Sequence, residues 1–97
     1  MNSKAAFLDR DGVINRKVQG DGYVTRWDDM HFLPNIADSI ASLNRAGFKV
    51  IVITNQRCVA KGLITSQALE AIHQKMCEWL AAQGAQVDGV YYCPHEK

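Results

Sequence analysis

Three short apolar runs alternate along the chain with two stretches of helical periodicity. The first run, Ala5-Ala6-Phe7-Leu8, stops abruptly at charge, which suits a strand buried on both faces. From Asp9 to Met30 the chain is polar, carries Gly12, Gly20 and Gly22, and holds five of the ten carboxylates. A loop of that length is more often functional than idle. Pro34 then opens a helical pattern in which Ile36, Ile40 and Leu43 share a face, with Gly47 at a plausible C-terminal cap. Phe48 to Ile53 is rich in β-branched residues and reads as a second buried strand, ending at Thr54-Asn55-Gln56. Thr65 or Ser66 is a candidate N-cap for a second helix. Its stripe is Leu69, Ile72, Met76, Trp79 and Leu80, and Gly84 closes it. Val87 to Tyr92 forms a third strand.

Strand, helix, strand, helix, strand predicts an α/β fold with a parallel sheet and right-handed crossovers. Ligands of such sheets collect at the carboxyl ends of the strands. Asp9, Thr54 and Cys93 each stand at or just past a predicted carboxyl end, so polar residues converge on one rim.

Composition narrows the partners more than the fold. The chain has 97 residues, 47% of them hydrophobic and 22% charged, which argues against disorder and allows one domain over 1–97. A net charge of +1 gives no basic excess to attract nucleic acid. The longest apolar run, Val50-Ile51-Val52-Ile53, falls far below the ~20 residues of a membrane span. Met1-Asn2-Ser3-Lys4 lacks the apolar stretch of a signal peptide, and Cys58, Cys77 and Cys93 form no disulfide framework. A reduced, cytoplasmic protein without a membrane partner is the expectation.

Most chemical information lies in Phe7-Leu8-Asp9-Arg10-Asp11-Gly12-Val13-Ile14-Asn15, where two carboxylates at i and i+2 follow a hydrophobic strand. One reading is a strand-end turn, with Asp11-Gly12 supplying turn geometry. Against it, a charge at the mouth of a buried strand is costly unless something binds it. A calcium loop is excluded, since counting from Asp9 the fourth residue is Gly12 and the twelfth is Gly20. No P-loop, dinucleotide fingerprint or serine-hydrolase elbow occurs. Two such carboxylates suit phosphoryl transfer: one attacks phosphorus to form an aspartyl phosphate, and its neighbour handles the proton.

Here the sequence resembles the haloacid-dehalogenase-like (HAD) phosphatases, whose first motif is Asp-x-Asp-Gly after a strand. Ile53-Thr54-Asn55-Gln56 is similar to that family's second motif. Gly22-Tyr23-Val24, Phe32-Leu33-Pro34, Lys61-Gly62-Leu63 and Tyr91-Tyr92-Cys93-Pro94-His95 resemble one branch. That branch comprises the D-glycero-D-manno-heptose 1,7-bisphosphate 7-phosphatases and the histidinol-phosphate phosphatases. The resemblance implies a HAD-like (Rossmann-like) parallel sheet with flanking helices. It makes Asp9 the nucleophile and Asp11 the general acid/base. Magnesium would be held by the Asp9 carboxylate and the Asp11 carbonyl. Thr54 and Asn55 would bind the transferred phosphate, while Asp21, Gly22, Tyr23, Gln56 and Arg57 would line the substrate site. Cys93 and His95 would give half of a structural zinc site. Cys58 stands where the family usually has Gly, and Lys61 where it usually has Arg; Arg16 to Asp21 makes a longer insert than in many heptose enzymes.

The resemblance also implies a lysine and a further magnesium-binding carboxylate after the third strand, and neither is found before Lys97. The expectation is therefore the N-terminal part of a longer phosphatase, truncated after the third strand and inactive alone. Its unpaired apolar first-strand edge is a surface for self-association. A heptose bisphosphate, as a phosphorylated sugar, is the expected substrate. The alternatives are histidinol phosphate, or a non-catalytic phosphate-binding or assembly module if 97 residues is the natural length. Cys77 and Met76 are expected in the core, His73 at its boundary, and His31 has no partner recognisable from sequence.

Overall fold

The computed structural model describes residues 4–18, 23–55, 59 and 61–93. Strands β1 (Lys4–Asp9), β2 (Phe48–Asn55) and β3 (Gly89–Cys93) form a parallel sheet in the order β1-β2-β3. Helix α1 (Ile36–Arg45) lies between the first two strands and α2 (Ser66–Ala82) precedes the third. In register, Asp9 pairs with Ile53, Ile53 with Tyr91, and Asn55 with Cys93. The carboxyl ends therefore lie side by side, as the alternating pattern implies.

Local chemistry sets the element ends. Helix α1 begins at Ile36 rather than at Pro34, because Asn35 adopts φ +65°, a left-handed conformation that asparagine tolerates. Thr65 caps α2: its Oγ1 accepts from the Ala68 N–H at 3.0 Å. Gly47 and Gly84, both at positive φ, follow the helices. Asp88 fastens the start of β3 to the sheet, its N–H donating to the Val50 carbonyl and its Oδ2 accepting from the Val50 N–H, each at 2.8 Å.

The core is built on one face of the sheet. Ile36 and Ile40 of α1 and Ile72, Met76 and Leu80 of α2 pack with Val50 and Val52, and Leu8 and Val90 join at the margin. The long segment after β1 contributes Ile14, Val24 and Met30 to this core, so it is packed rather than idle. Trp27–Asp29 forms a 3-10 turn within it, and the Phe32 ring stacks on Trp79 at 4.0 Å between centroids. Trp79 thus sits at the rim of the α2 stripe, while Cys77 packs half-buried against the core.

Full burial of β1 and β2 on both faces does not hold among the described residues. Side chains alternate along a strand, and Phe7, Ile53 and Tyr91, opposite in parity to Val50 and Val52, are 64%, 41% and 64% exposed. Both helices cover the other face. β1 is an edge strand among the described residues, and none of the described helices is long and apolar enough to cross a membrane. Because Leu80 is fully buried, Leu80→Ala should lower unfolding free energy by about 2–5 kcal/mol. Thr65→Ala, which removes only a cap, should cost about 1 kcal/mol. Urea denaturation of the two variants measures both.

Candidate active site

The site begins one residue past β1. The Arg10 N–H donates to the Ile53 carbonyl at 3.0 Å, which carries the sheet ladder into the following turn. The Arg10 carbonyl then accepts from the N–H groups of Ile14 (2.8 Å) and Asn15 (3.1 Å), and the Gly12 N–H donates to the Asn15 carbonyl at 2.7 Å. Gly12 has φ +91°, where a side chain would be strained. Asp11-Gly12 does form a tight turn, and that turn is what aims the polar groups. Asp9, Arg10, Asp11, Lys17, Ile53 and Thr54 line one cavity of about 230 Å³. Asp9 is exposed within it and Thr54 is buried in its wall.

Asp11 is held by a buried cation. Arg10 is 1% exposed, and its Nε (3.1 Å) and Nη2 (2.8 Å) both donate to Asp11 Oδ1. Asn15 Nδ2 donates to the same oxygen at 3.0 Å and to the Arg16 carbonyl at 3.0 Å. Oδ2 takes none of these three bonds. Pairing of this kind is what makes a buried guanidinium tolerable.

The other side of Arg10 meets α2. Arg10 Nη1 lies 3.0 Å from His73 Nε2. Arginine can only donate, so Nε2 accepts and the imidazole proton belongs on Nδ1. Burial, and then the neighbouring Arg10 charge, push the His73 pKa down to about 4, against the opposing pull of Asp11. His73 is therefore neutral near pH 7 and lies in the interior rather than at the boundary of the core, because the Arg10 guanidinium finds its acceptor there. Its ring packs 5.9 Å from that of Tyr92 on β3.

Other expected residues are less gathered. Tyr23 is half-buried, with the Lys61 ammonium 5.5 Å from its ring centre, so the segments following β1 and β2 meet at this pair. Asn55 and Cys93 end their strands in register, which puts their backbones on the same rim. Asp21, Gly22, Gln56, Arg57 and His95 lie outside the described residues.

A family model described as polynucleotide kinase 3 phosphatase matches residues 4–96. The chain belongs to this family. A heptose-1,7-bisphosphate 7-phosphatase of Rhodopseudomonas palustris (D-glycero-beta-D-manno form) is 46% identical over 91 residues, 94% of this chain and 49% of that protein. Among solved structures, the D,D-heptose 1,7-bisphosphate phosphatase of B. bronchiseptica, complexed with magnesium and phosphate, superimposes with a TM-score of 0.88 at 41% identity. It covers 96% of this chain and 51% of that one. A HAD-like phosphatase of Mesorhizobium loti gives a TM-score of 0.86 at 35% identity, with 97% and 44% covered. The fold is thus the HAD-like parallel sheet, and the chain spans about half the length of the relatives it matches.

For this member of the polynucleotide kinase 3 phosphatase family, the acidic residues lining the cavity, Asp9 and Asp11, offer hard oxygen donors. They suit magnesium, which keeps several waters and is completed by substrate oxygens rather than by an all-protein cage. No group of three or more His, Cys, Asp or Glu that could hold a metal occurs among the described residues. Four contributors escaped the sequence reading: Arg10, Asn15, Lys17 and His73. Arg10 sits inside the first motif beside Asp11 and Asn15 three residues past its end, and that closeness in sequence was the available signal. His73 gave none, since its contact spans 63 residues of sequence. The His73 pKa is lowered on folding, so the unfolded chain binds the extra proton between pH 6.5 and about 4. Stability is then fully present above 6.5 and falls as pH drops through that window. Urea unfolding at pH 7, 5.5 and 4.5 should show His73→Gln losing less stability on acidification than the parent; equal losses would contradict the assignment.

Proposed function

We propose that residues 1–97 form the N-terminal part of a magnesium-dependent HAD-type phosphomonoesterase that works through an aspartyl phosphate. The substrate we infer is a sugar bisphosphate of the D-glycero-D-manno-heptose 1,7 type, losing its 7-phosphate. The observation that carries this reading is an exposed Asp9 carboxylate beside an Asp11 pinned through one oxygen, both in a cavity walled by Thr54.

In that arrangement the Asp9 carboxylate attacks phosphorus in line as the sugar oxygen departs. Asp11 gives the departing oxygen a proton and, in the second half, takes one from the water that cleaves the acyl phosphate. The bonds to Oδ1 leave Oδ2 for that traffic and fix the carboxyl plane against rotation. In this reading the Thr54 hydroxyl donates to a phosphoryl oxygen. Bound magnesium supplies charge screening between the attacking carboxylate and the phosphate, with Asp9 and the Asp11 carbonyl as its protein donors.

A sugar is favoured over nucleic acid by the near-neutral charge and by the heptose substrates named for the relatives. Those names also favour heptose over histidinol phosphate. In the protein expressed from its complete coding sequence, Asp9→Asn should lower heptose bisphosphate turnover by about 10³-fold or more. Removing divalent metal with EDTA should abolish turnover, and added magnesium should restore it. Faster hydrolysis of histidinol phosphate, or turnover surviving Asp9→Asn, would contradict the reading.

A further inference from the structure

A second cavity of about 220 Å³ adjoins the first, lined by Arg16, Lys17, Val18, Asp29 and His31. Lys17 lines both. Its stem crosses the Asp11-Gly12 turn so closely that a Cβ on Gly12 would come within 3.1 Å of Lys17 Cε. Gly12 thus serves two purposes, reaching positive φ and leaving room for this lysine.

The second cavity is held to the first through the backbone. The Arg16 N–H donates to the His31 carbonyl at 2.8 Å, and the Leu33 N–H to the Ile14 carbonyl at 2.9 Å, so Arg16 and His31 lie across a short antiparallel pairing. Asn15, whose amide also binds Asp11 Oδ1, donates to the Arg16 carbonyl. The two cavities are therefore ends of one rigid segment rather than independent surface features. Arg16 and Lys17 are both exposed, and neither side chain has an ion pair among the described residues. Among the described residues, a single carboxylate, Asp29, stands against these two cations and one imidazole.

We propose that this cavity holds the phosphate of the substrate that is not transferred, with Arg16 and His31 as its donors and Lys17 bridging the two phosphates. The proposal rests on the phosphomonoesterase reading above. A 1,7-bisphosphorylated sugar presents two dianions at opposite ends of one small molecule, and a guanidinium with a neighbouring ammonium matches the distal one. Asp29 opposes the incoming anion and limits affinity, which favours product release.

The test compares, in the protein from its complete coding sequence, kcat/KM for the sugar bisphosphate with kcat/KM for the same sugar bearing only the phosphate to be cleaved. Arg16→Gln and His31→Gln should each lower that ratio by about tenfold, mainly through KM. Asp29→Asn should raise it. An unchanged ratio in all three variants overturns the proposal. A parallel calorimetric titration with mannose 1-phosphate, which carries only the non-transferred group, needs no turnover. Arg16→Gln should weaken that binding about tenfold, and binding indifferent to Arg16→Gln and Asp29→Asn counts against the subsite. Failure of the enzyme reading shows separately, as no turnover of either sugar by the parent protein; the titration then decides the subsite by itself.

Discussion

A guanidinium with 1% of its surface exposed sits at the end of the first strand, and such a burial is unfavourable unless every side of the charge finds a partner. Arg10 meets this constraint with the Asp11 carboxylate on one side and the neutral His73 imidazole on the other. Asp11 is thereby fixed by the same contacts that make the cation tolerable. Helix α2 is likewise tied to the strand end by a directional bond, in addition to the apolar packing of Met76 and Leu80. The polar site and the hydrophobic core meet at Arg10, so a change in its partners would disturb both.

The sheet supplies the position and the turn supplies the direction. Parallel register sets Asp9 beside Ile53 and places Thr54 one residue further along the neighbouring strand. The turn closed by Gly12 then brings Asp11 back toward that rim. The packed segment behind it, anchored by Ile14, Val24 and Met30, holds Arg16 and His31 beside the first cavity. A sequence stretch that reads as a polar loop is in this way part core and part site.

Much of this was legible beforehand, for definable reasons. Element order, the Thr65 cap and the convergence of Asp9 and Thr54 follow from periodicity and strand-end logic, which are local signals. Burial of β1 and β2 on both faces was not borne out among the described residues, because an apolar run shows that a strand can be buried without showing which face is covered. Asn35 displaced the start of α1 because a left-handed residue next to Pro34 is a conformational choice that the apolar pattern does not encode. His73 was misplaced at the boundary because its partner lies on another element, and helical spacing alone treats a histidine beside the stripe as a margin residue. The substrate-lining assignments of Asp21, Gly22, Gln56 and Arg57, and the zinc pair Cys93 and His95, rest on resemblance alone.

The covalent role proposed for Asp9 can be read directly. The complete protein is mixed with magnesium and bisphosphate substrate, quenched within milliseconds and reduced with borohydride, and its peptides are sequenced by mass spectrometry. The account predicts homoserine, the reduction product of an acyl phosphate, at position 9 and unmodified aspartate at position 11. Modification at position 11, or a phosphate released by water with no trapped adduct during steady turnover, would contradict it.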